Sequence, residues 1–237
     1  MNIFPAIDLF GGKAVRLYKG DYNQMTVYSD NPVEIAKDFT LQGASYMHLV
    51  DLEGAKSGDT PNLETVEKLV NSTNLFTEVG GGIRSMEVIN RYISVGVERV
   101  ILGTAAVKDR EFLLKAVEKY GDKIAVGVDI KDGFVAIKGW TEKSMIEAFE
   151  FCKDMQSIGV KTIISTDISK DGAMQGANHE LYKRLQESLD MQIIASGGVS
   201  SIDDVKKLRE MDLYGAIIGK AYYVKAISLR EAIKVAR

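Results

Sequence analysis

The chain has 237 residues, 46% of them hydrophobic and 27% charged, with both signs mixed along its length. That is enough apolar material for one large core, and it excludes a disordered chain. The formal net charge of −3 excludes a general polyanion binder, so neither nucleic acid nor a membrane surface is an expected partner and any phosphate must be held locally.

In chain order, short apolar runs rich in β-branched residues alternate with amphipathic stretches at helical spacing. The first strand is expected over Asn2 to Asp8, followed by a helix over Pro32 to Gln42. Tyr46 to Asp51 precedes Asn62 to Ser72, Phe76 to Gly80 precedes Ser85 to Val95, and Arg99 to Leu102 precedes Asp109 to Tyr120. In the second half, Ile124 to Asp129 precedes Lys143 to Ile158, and Thr162 to Thr166 precedes Asn178 to Ser188. Gln192 to Ser196 then precedes Ile202 to Met211, and Gly215 to Ile218 precedes Ser228 to Ala236.

Asp30-Asn31-Pro32, Thr60-Pro61 and Ser200-Ser201 put capping side chains, twice with a proline, where helices should begin. The three prolines are expected outside strand and helix interiors. After the fifth strand, Asp132-Gly133 between apolar residues predicts a small hairpin over Lys131 to Trp140. Eight strand-then-helix units, with no Gly-x-Gly-x-x-Gly opening the first helix, predict an α/β fold closed as a (β/α)8 TIM barrel.

The halves of the chain repeat one another. Gly80 to Ser85 matches Ser196 to Ser201, Val100 to Val107 matches Ala216 to Tyr223, and Val50-Asp51-Leu52 matches Thr166-Asp167-Ile168, each 116 residues apart. Asp8 and Asp129 match at 121, the extra residues falling in the loops after strands one and five. We therefore expect a single domain, 1–237, built from duplicated half-barrels of roughly 1–120 and 121–237.

Each glycine cluster follows a strand and precedes a helix, where bare backbone N–H groups and the helix dipole favour an anion. Barrels carry their chemistry on this face and hold phosphate with neighbouring loops. Gly198, Gly219 and Lys220 thus form one expected phosphate site, with Gly172 in the adjoining turn, and Gly82, Gly103 and Thr104 form the second. A small-molecule substrate with a phosphate at each end follows.

Asp8 and Asp129, ending strands one and five, would lie between the anchors as an acid/base pair. The symmetry leaves open which is acid and which is base. Trp140, the only tryptophan, either stacks on substrate or packs its hairpin, and Arg84 either reaches phosphate or pairs on the surface. Cys152 is the only cysteine and permits no intrachain disulfide. His48 and His179 are the only histidines, and neither has a carboxylate cluster nearby in sequence, so no metal is expected; His48 reads as structural. No signal segment or span of about 20 apolar residues is present, and a cytoplasmic monomer is expected.

At Pro5-Ala6-Ile7-Asp8-Leu9, Gly12 to Leu17, Val50 to Ala55, Gly80 to Ser85, Gly103-Thr104-Ala105, Gly139-Trp140, Lys170-Asp171-Gly172 and Ser196-Gly197-Gly198, the chain resembles the phosphoribosylformimino-5-aminoimidazole carboxamide ribotide isomerases of histidine biosynthesis. The match runs essentially end to end. The resemblance implies an Amadori rearrangement of an aminoaldose to an aminoketose with no metal or organic cofactor. It implies that Asp8 takes the C2 proton, Asp129 opens the ribose ring, Thr166 supplies an auxiliary hydroxyl and Trp140 stacks on the imidazole carboxamide. The sister cyclase barrel usually has cysteine two before the first aspartate, where this chain has Ala6. The bifunctional relative that also isomerises phosphoribosylanthranilate typically has arginine two before the tryptophan, where this chain has Lys138.

Overall fold

The computed structural model of the chain describes every residue except Lys19. Its strands in chain order are β1 (Asn2–Phe10), β2 (Lys13–Tyr18), β3 (Asp21–Ser29), β4 (Tyr46–Asp51), β5 (Phe76–Gly80), β6 (Arg99–Leu102), β7 (Ile124–Lys131), β8 (Phe134–Ile137), β9 (Glu142–Glu147), β10 (Thr162–Asp167), β11 (Gln192–Ser196) and β12 (Gly215–Ile218). Strands β1, β4, β5, β6, β7, β10, β11 and β12 pair in parallel in that order, and β12 returns to β1. The sheet is therefore a closed eight-stranded barrel. Helices including Pro32–Leu41, Leu63–Ser72, Met86–Ser94 and Leu229–Ala236 cover it, each burying one stripe such as Ala36 and Phe39, or Ile89 and Tyr92.

Strand alternation places the site. Phe4, Ala6, Ile101, Ala125, Ile164, Ile194 and Ile217 pack into a second, smaller core inside the barrel. Side chains on a strand return to the same face every second residue. The next inward positions toward the C-terminal mouth are therefore Asp8, Gly103, Thr166, Ser196 and Gly219, with Asp129 four residues beyond Ala125. Packing below fixes which residues reach the mouth.

Toward the other end the interior is ionic. Glu78 on β5 is fully buried and accepts from Arg99 Nε at 2.9 Å, Arg99 Nη2 at 2.6 Å and His48 Nδ1 at 2.7 Å. Arg99 also donates to Thr162 Oγ1 at 3.2 Å, and its guanidinium lies 5.1 to 5.8 Å from the ring centres of Phe76, Phe4 and Tyr214. Removing one partner of a buried pair strands the other charge, at a cost of about 3–5 kcal/mol. Arg99→Met should accordingly lower the unfolding free energy by about that much in urea titrations. A loss below about 1 kcal/mol would mean that water reaches Glu78.

Three expectations need correction. Pro5 lies inside β1, opposite Ile218. The chain tolerates it because β1 changes neighbours there: residues 2–5 register with β12 and residues 6–9 with β4. The helix expected from Lys143 starts at Ala148, because Glu142–Glu147 forms an edge strand on β8 and the Glu147 side chain accepts from Glu150 N–H. Met145, which fits the helical pattern in sequence, is 90% exposed and drives no burial. Of the three expected caps only Ser201 accepts its helix's N–H, in a reciprocal capping box with Asp204, while Asn31 makes no cap bond. At Thr60-Pro61 the helix begins later, at Leu63, and the preceding Asn62 turns to Asp51 and Glu53.

The hairpin after the fifth barrel strand is present as β7–β8, widened by β9. A second hairpin, β2–β3, follows β1 and has no counterpart among the expected elements. Gly11 and Gly12, at φ +57° and +73°, make the tight turn into it. Cys152 is wholly buried in the helix Ala148–Ser157, and burial pushes its thiol up to about 12. A colorimetric thiol reagent at pH 8 should leave the native protein unmodified and react only after denaturation. Rapid native labelling would mean that this helix opens locally.

Candidate active site

Asp8 and Asp129 both end inward-facing strand positions at the mouth, and burial is the main force on each. It pushes both carboxyls above the ordinary aspartate range. Their partners differ. Asp8 Oδ1 accepts from Arg16 Nη1 at 2.9 Å, a charge-assisted bond that opposes the rise. Asp129 accepts from neutral donors only, the Trp140 indole N–H and the Thr166 hydroxyl. Thr166 stands directly beside Asp129 in the β7–β10 register.

Trp140 closes one side of the mouth. Its ring covers Gly20, where a Cβ would come within 2.8 Å of Cε3. Lys138, Gly139 and Trp140 all have positive φ, at 55°, 60° and 71°. Two non-glycine residues held there mark a strained turn. Thr104 Oγ1 accepts from Lys138 N–H at 2.9 Å, so an expected phosphate residue instead braces the turn that carries the tryptophan. Lys138 Nζ is turned to Glu142 Oε2 at 2.6 Å.

The glycine loops occupy the mouth as expected from their strands. Lys220 Nζ donates to the Gly172 carbonyl at 2.8 Å, which joins two of the expected phosphate residues. Gly103 and Gly219 share one backbone conformation, φ −99°, ψ −104° and φ −102°, ψ −106°. Gly82 and Gly198 have φ +71° and +84°, and a Cβ on either would strike a carbonyl oxygen, that of Gly54 or Gly176. Arg84 stands apart. It is exposed, donates to the Lys56 carbonyl at 3.3 Å and lies over Gly58 at the rim.

Two groups of the site were not singled out from sequence. Arg16, on the return strand β2, pairs with Asp8 and lies against Gly219, so it links the carboxylate to a phosphate loop. Asp171, in the turn after β10, raises Asp8 and Asp129 through its charge. Its signal is present in the Lys170-Asp171-Gly172 turn, where the glycine alone suggests a role. Asp51 and Asp167 are braces: Asp51 Oδ1 and Asp167 Oδ2 each accept from an asparagine 11 residues on, Asn62 or Asn178, at 2.7 Å.

A cleft of about 650 Å³ lies beside the mouth between the hairpin and the helix His179–Ser188, reached by Lys131, Trp140, Phe149 and Arg184. Neither Asp8 nor Asp129 lines it. Among the described residues no group of three or more His, Cys, Asp or Glu is placed to hold a metal ion. None of the described helices is long and apolar enough to cross a membrane.

A family model described as histidine biosynthesis protein matches residues 2–228. A relative from Oceanobacillus iheyensis is 53% identical over 99% of this chain and 98% of its own length. Relatives from Clostridium kluyveri and Lactococcus lactis subsp. cremoris are 51% and 52% identical, over 99% and 98% of this chain and 99% and 95% of theirs. All three are named as isomerases of an imidazole-4-carboxamide that bears a phosphoribosyl and a phosphoribosylamino-methylideneamino group. With identity at this level over nearly the whole length, the chain belongs to the histidine biosynthesis protein family, among its imidazole-4-carboxamide isomerases.

Proposed function

We propose that the protein isomerises the bisphosphorylated imidazole carboxamide aminoaldose to its aminoketose, acting as a cytoplasmic monomer with Asp8 as base and Asp129 as acid. The observation that carries this reading is the pair of partly buried carboxyls with unlike partners between two glycine-loop regions. Asp129 gives a proton to the ribose ring oxygen as the C1–O bond breaks, leaving a C1=N iminium. Asp8 removes the C2 proton, the C–H electrons form C1=C2 as the C1=N π pair returns to nitrogen, and the enolamine becomes the C2 ketone as C1 is reprotonated and the C2 hydroxyl gives up its proton. The sum is an isomerisation. Every step is a proton transfer, which two carboxyls and the Thr166 hydroxyl can serve.

The unlike partners support this order of roles, which the family resemblance implies. A guanidinium beside Asp8 favours the ionised form that a base needs. Burial pushes the Asp129 carboxyl up and its donors are neutral, which favours the protonated form that an acid needs. Phosphates at the two ends would lie at Gly82, Gly103 and Thr104 and at Gly172, Gly198, Gly219 and Lys220, with Trp140 against the imidazole carboxamide and Arg84 at the rim.

An absorbance assay with the aminoaldose should show turnover, and the same assay with phosphoribosylanthranilate tests a second substrate. No turnover of the aminoaldose, together with formation of imidazole glycerol phosphate from the ketose and ammonia, would replace the isomerase reading with a cyclase.

A further inference from the structure

The loops after β10 and β11 are joined by one side chain that the proton transfers do not use. Asp204 lies in the first turn of the helix Ile202–Glu210 and is buried. Its Oδ2 accepts from the backbone N–H groups of Ser200 at 3.1 Å and Ser201 at 3.0 Å, and from their hydroxyls at 3.3 and 2.9 Å. Its Oδ1 serves the other loop, accepting from Ala177 N–H at 3.3 Å and meeting His179 Nε2 at 3.0 Å. Burial alone would raise this carboxyl, but the bonds from Ser200, Ser201, Ala177 and His179 together hold it below the ordinary aspartate range. Across the same seam Gly176 N–H donates to Ser200 Oγ at 3.2 Å, and a Cβ on Gly198 would come within 2.4 Å of the Gly176 carbonyl oxygen. The loop after β10 also carries Gly172, whose carbonyl holds Lys220 Nζ. The placement of Gly172, Gly198 and Lys220 relative to one another therefore depends on this seam.

The repeat supplies a comparison within the chain. Gly82 meets the Gly54 carbonyl as Gly198 meets that of Gly176, so the first half has the same seam. At the positions of Asp204 and His179 it has Val88 (204 − 116 = 88) and Leu63 (179 − 116 = 63), both packed in the apolar core. The packing of the barrel alone does not call for a carboxylate at this place.

We propose that Asp204 is a positioning residue for the phosphate end formed by Gly172, Gly198, Gly219 and Lys220: it clasps the loop after β11 to the loop after β10, so that both present their groups to one phosphate. This rests on the phosphate reading of those loops. Because the first half lacks the clasp, its loss weakens one end of the substrate only.

Asp204→Asn separates the clasp from the helix cap. Its amide oxygen can keep the N–H groups of Ser200 and Ser201, which turns the amide nitrogen to Ala177 N–H, where two donors cannot bond. kcat/KM should fall about tenfold. Ser201→Ala removes a capping hydroxyl but leaves both Asp204 oxygens in place, and should keep kcat/KM within about twofold of wild type. Inorganic phosphate distinguishes the two ends. In Gly82→Ala the remaining phosphate-dependent rise of the thermal midpoint reports the Gly198 end; it should be lost when Asp204→Asn is added and persist when Ser201→Ala is added. In Gly198→Ala, adding Asp204→Asn should leave the remaining rise as it is. A role in stability alone would lower the midpoint without phosphate and leave each rise intact.

A folded Asp204→Asn enzyme with kcat/KM within about twofold of wild type, or with the phosphate rise intact in Gly82→Ala, overturns the proposal. Equal losses in Ser201→Ala and Asp204→Asn would make the cap the cause and likewise overturn it. Should Asp204→Asn not fold, His179→Leu with Asp204→Val, which copies the first half, takes the same tests. If Gly198→Ala itself keeps wild-type kcat/KM and phosphate rise, the phosphate reading has failed and the proposal with it. If Gly198→Ala is impaired and Asp204→Asn is not, only the positioning role falls.

Discussion

Asp8→Asn and Asp129→Asn are each expected to lower kcat by about 10³- to 10⁴-fold while KM changes little. Each substitution keeps shape and burial. The amide carbonyl placed at the first position can still accept from Arg16, and the one placed at the second can still accept from Thr166 and Trp140. What is lost is the ability to take up or release a proton at an atom that must do so. The wild-type kcat/KM profile should be a bell. Asp8 works ionised, so activity falls as pH drops through its raised midpoint. Asp129 works protonated, so activity falls as pH rises through its own. Residual activity of the Asp8 variant should lose the acid limb, and that of the Asp129 variant the alkaline limb. Turnover of either variant within tenfold of wild type would remove that residue from the proton transfers.

The barrel is legible in the sequence because its signals are local and repeated. All eight barrel strands start at the residues expected from sequence, and the limits of β4, β5, β6, β11 and β12 agree at both ends. Errors fall where tertiary contact overrides pattern. Glu142–Glu147 is captured by the open edge of β8, which no local propensity announces. The β2–β3 hairpin does have a signal, Gly11-Gly12 between alternating residues, but it interrupts the strand-then-helix rhythm by which the units are counted. Gly81 and Gly197 crowd the backbone of Asp51 and Asp167, again 116 residues apart, and Ser85 and Ser201 cap their helices alike. The repeat in sequence therefore has a counterpart in individual contacts.

The site is less legible, for a physical reason. Residue type and position pick out Asp8 and Asp129, but a carboxyl's role depends on its partners, and these arrive from elsewhere. Arg16 reaches Asp8 only because β2 folds back antiparallel with Asp8 opposite Val15. Asp171 matters through its charge at both aspartates, which only the folded mouth brings together. The half-barrel symmetry allows either order of acid and base. A charged partner at Asp8 and neutral partners at Asp129 are the asymmetry that supports the proposed order.

Gly82→Ala and Gly198→Ala are each expected to lower kcat/KM by about 100-fold. Both residues have positive φ, where an alanine is strained by about 1–2 kcal/mol. Strain alone could be absorbed. The added Cβ, however, would meet a backbone carbonyl, Gly54 for one and Gly176 for the other, and neither can yield as a flexible side chain could. The loop must therefore move, carrying its N–H groups away from the place where an anion would sit. Losing charge-assisted bonds of about 1.5–3 kcal/mol corresponds to roughly 10- to 100-fold in affinity. On the proposed reading, in which the loops hold opposite ends of one substrate, part of that loss should appear in kcat, since binding at remote groups positions the reacting carbon. Inorganic phosphate provides the independent reading: its stabilisation of wild type in thermal unfolding should shrink in each variant and vanish in the double variant. Two folded variants with kcat/KM within about threefold of wild type would leave the glycines as turn formers, and the phosphates would have to be held by other groups.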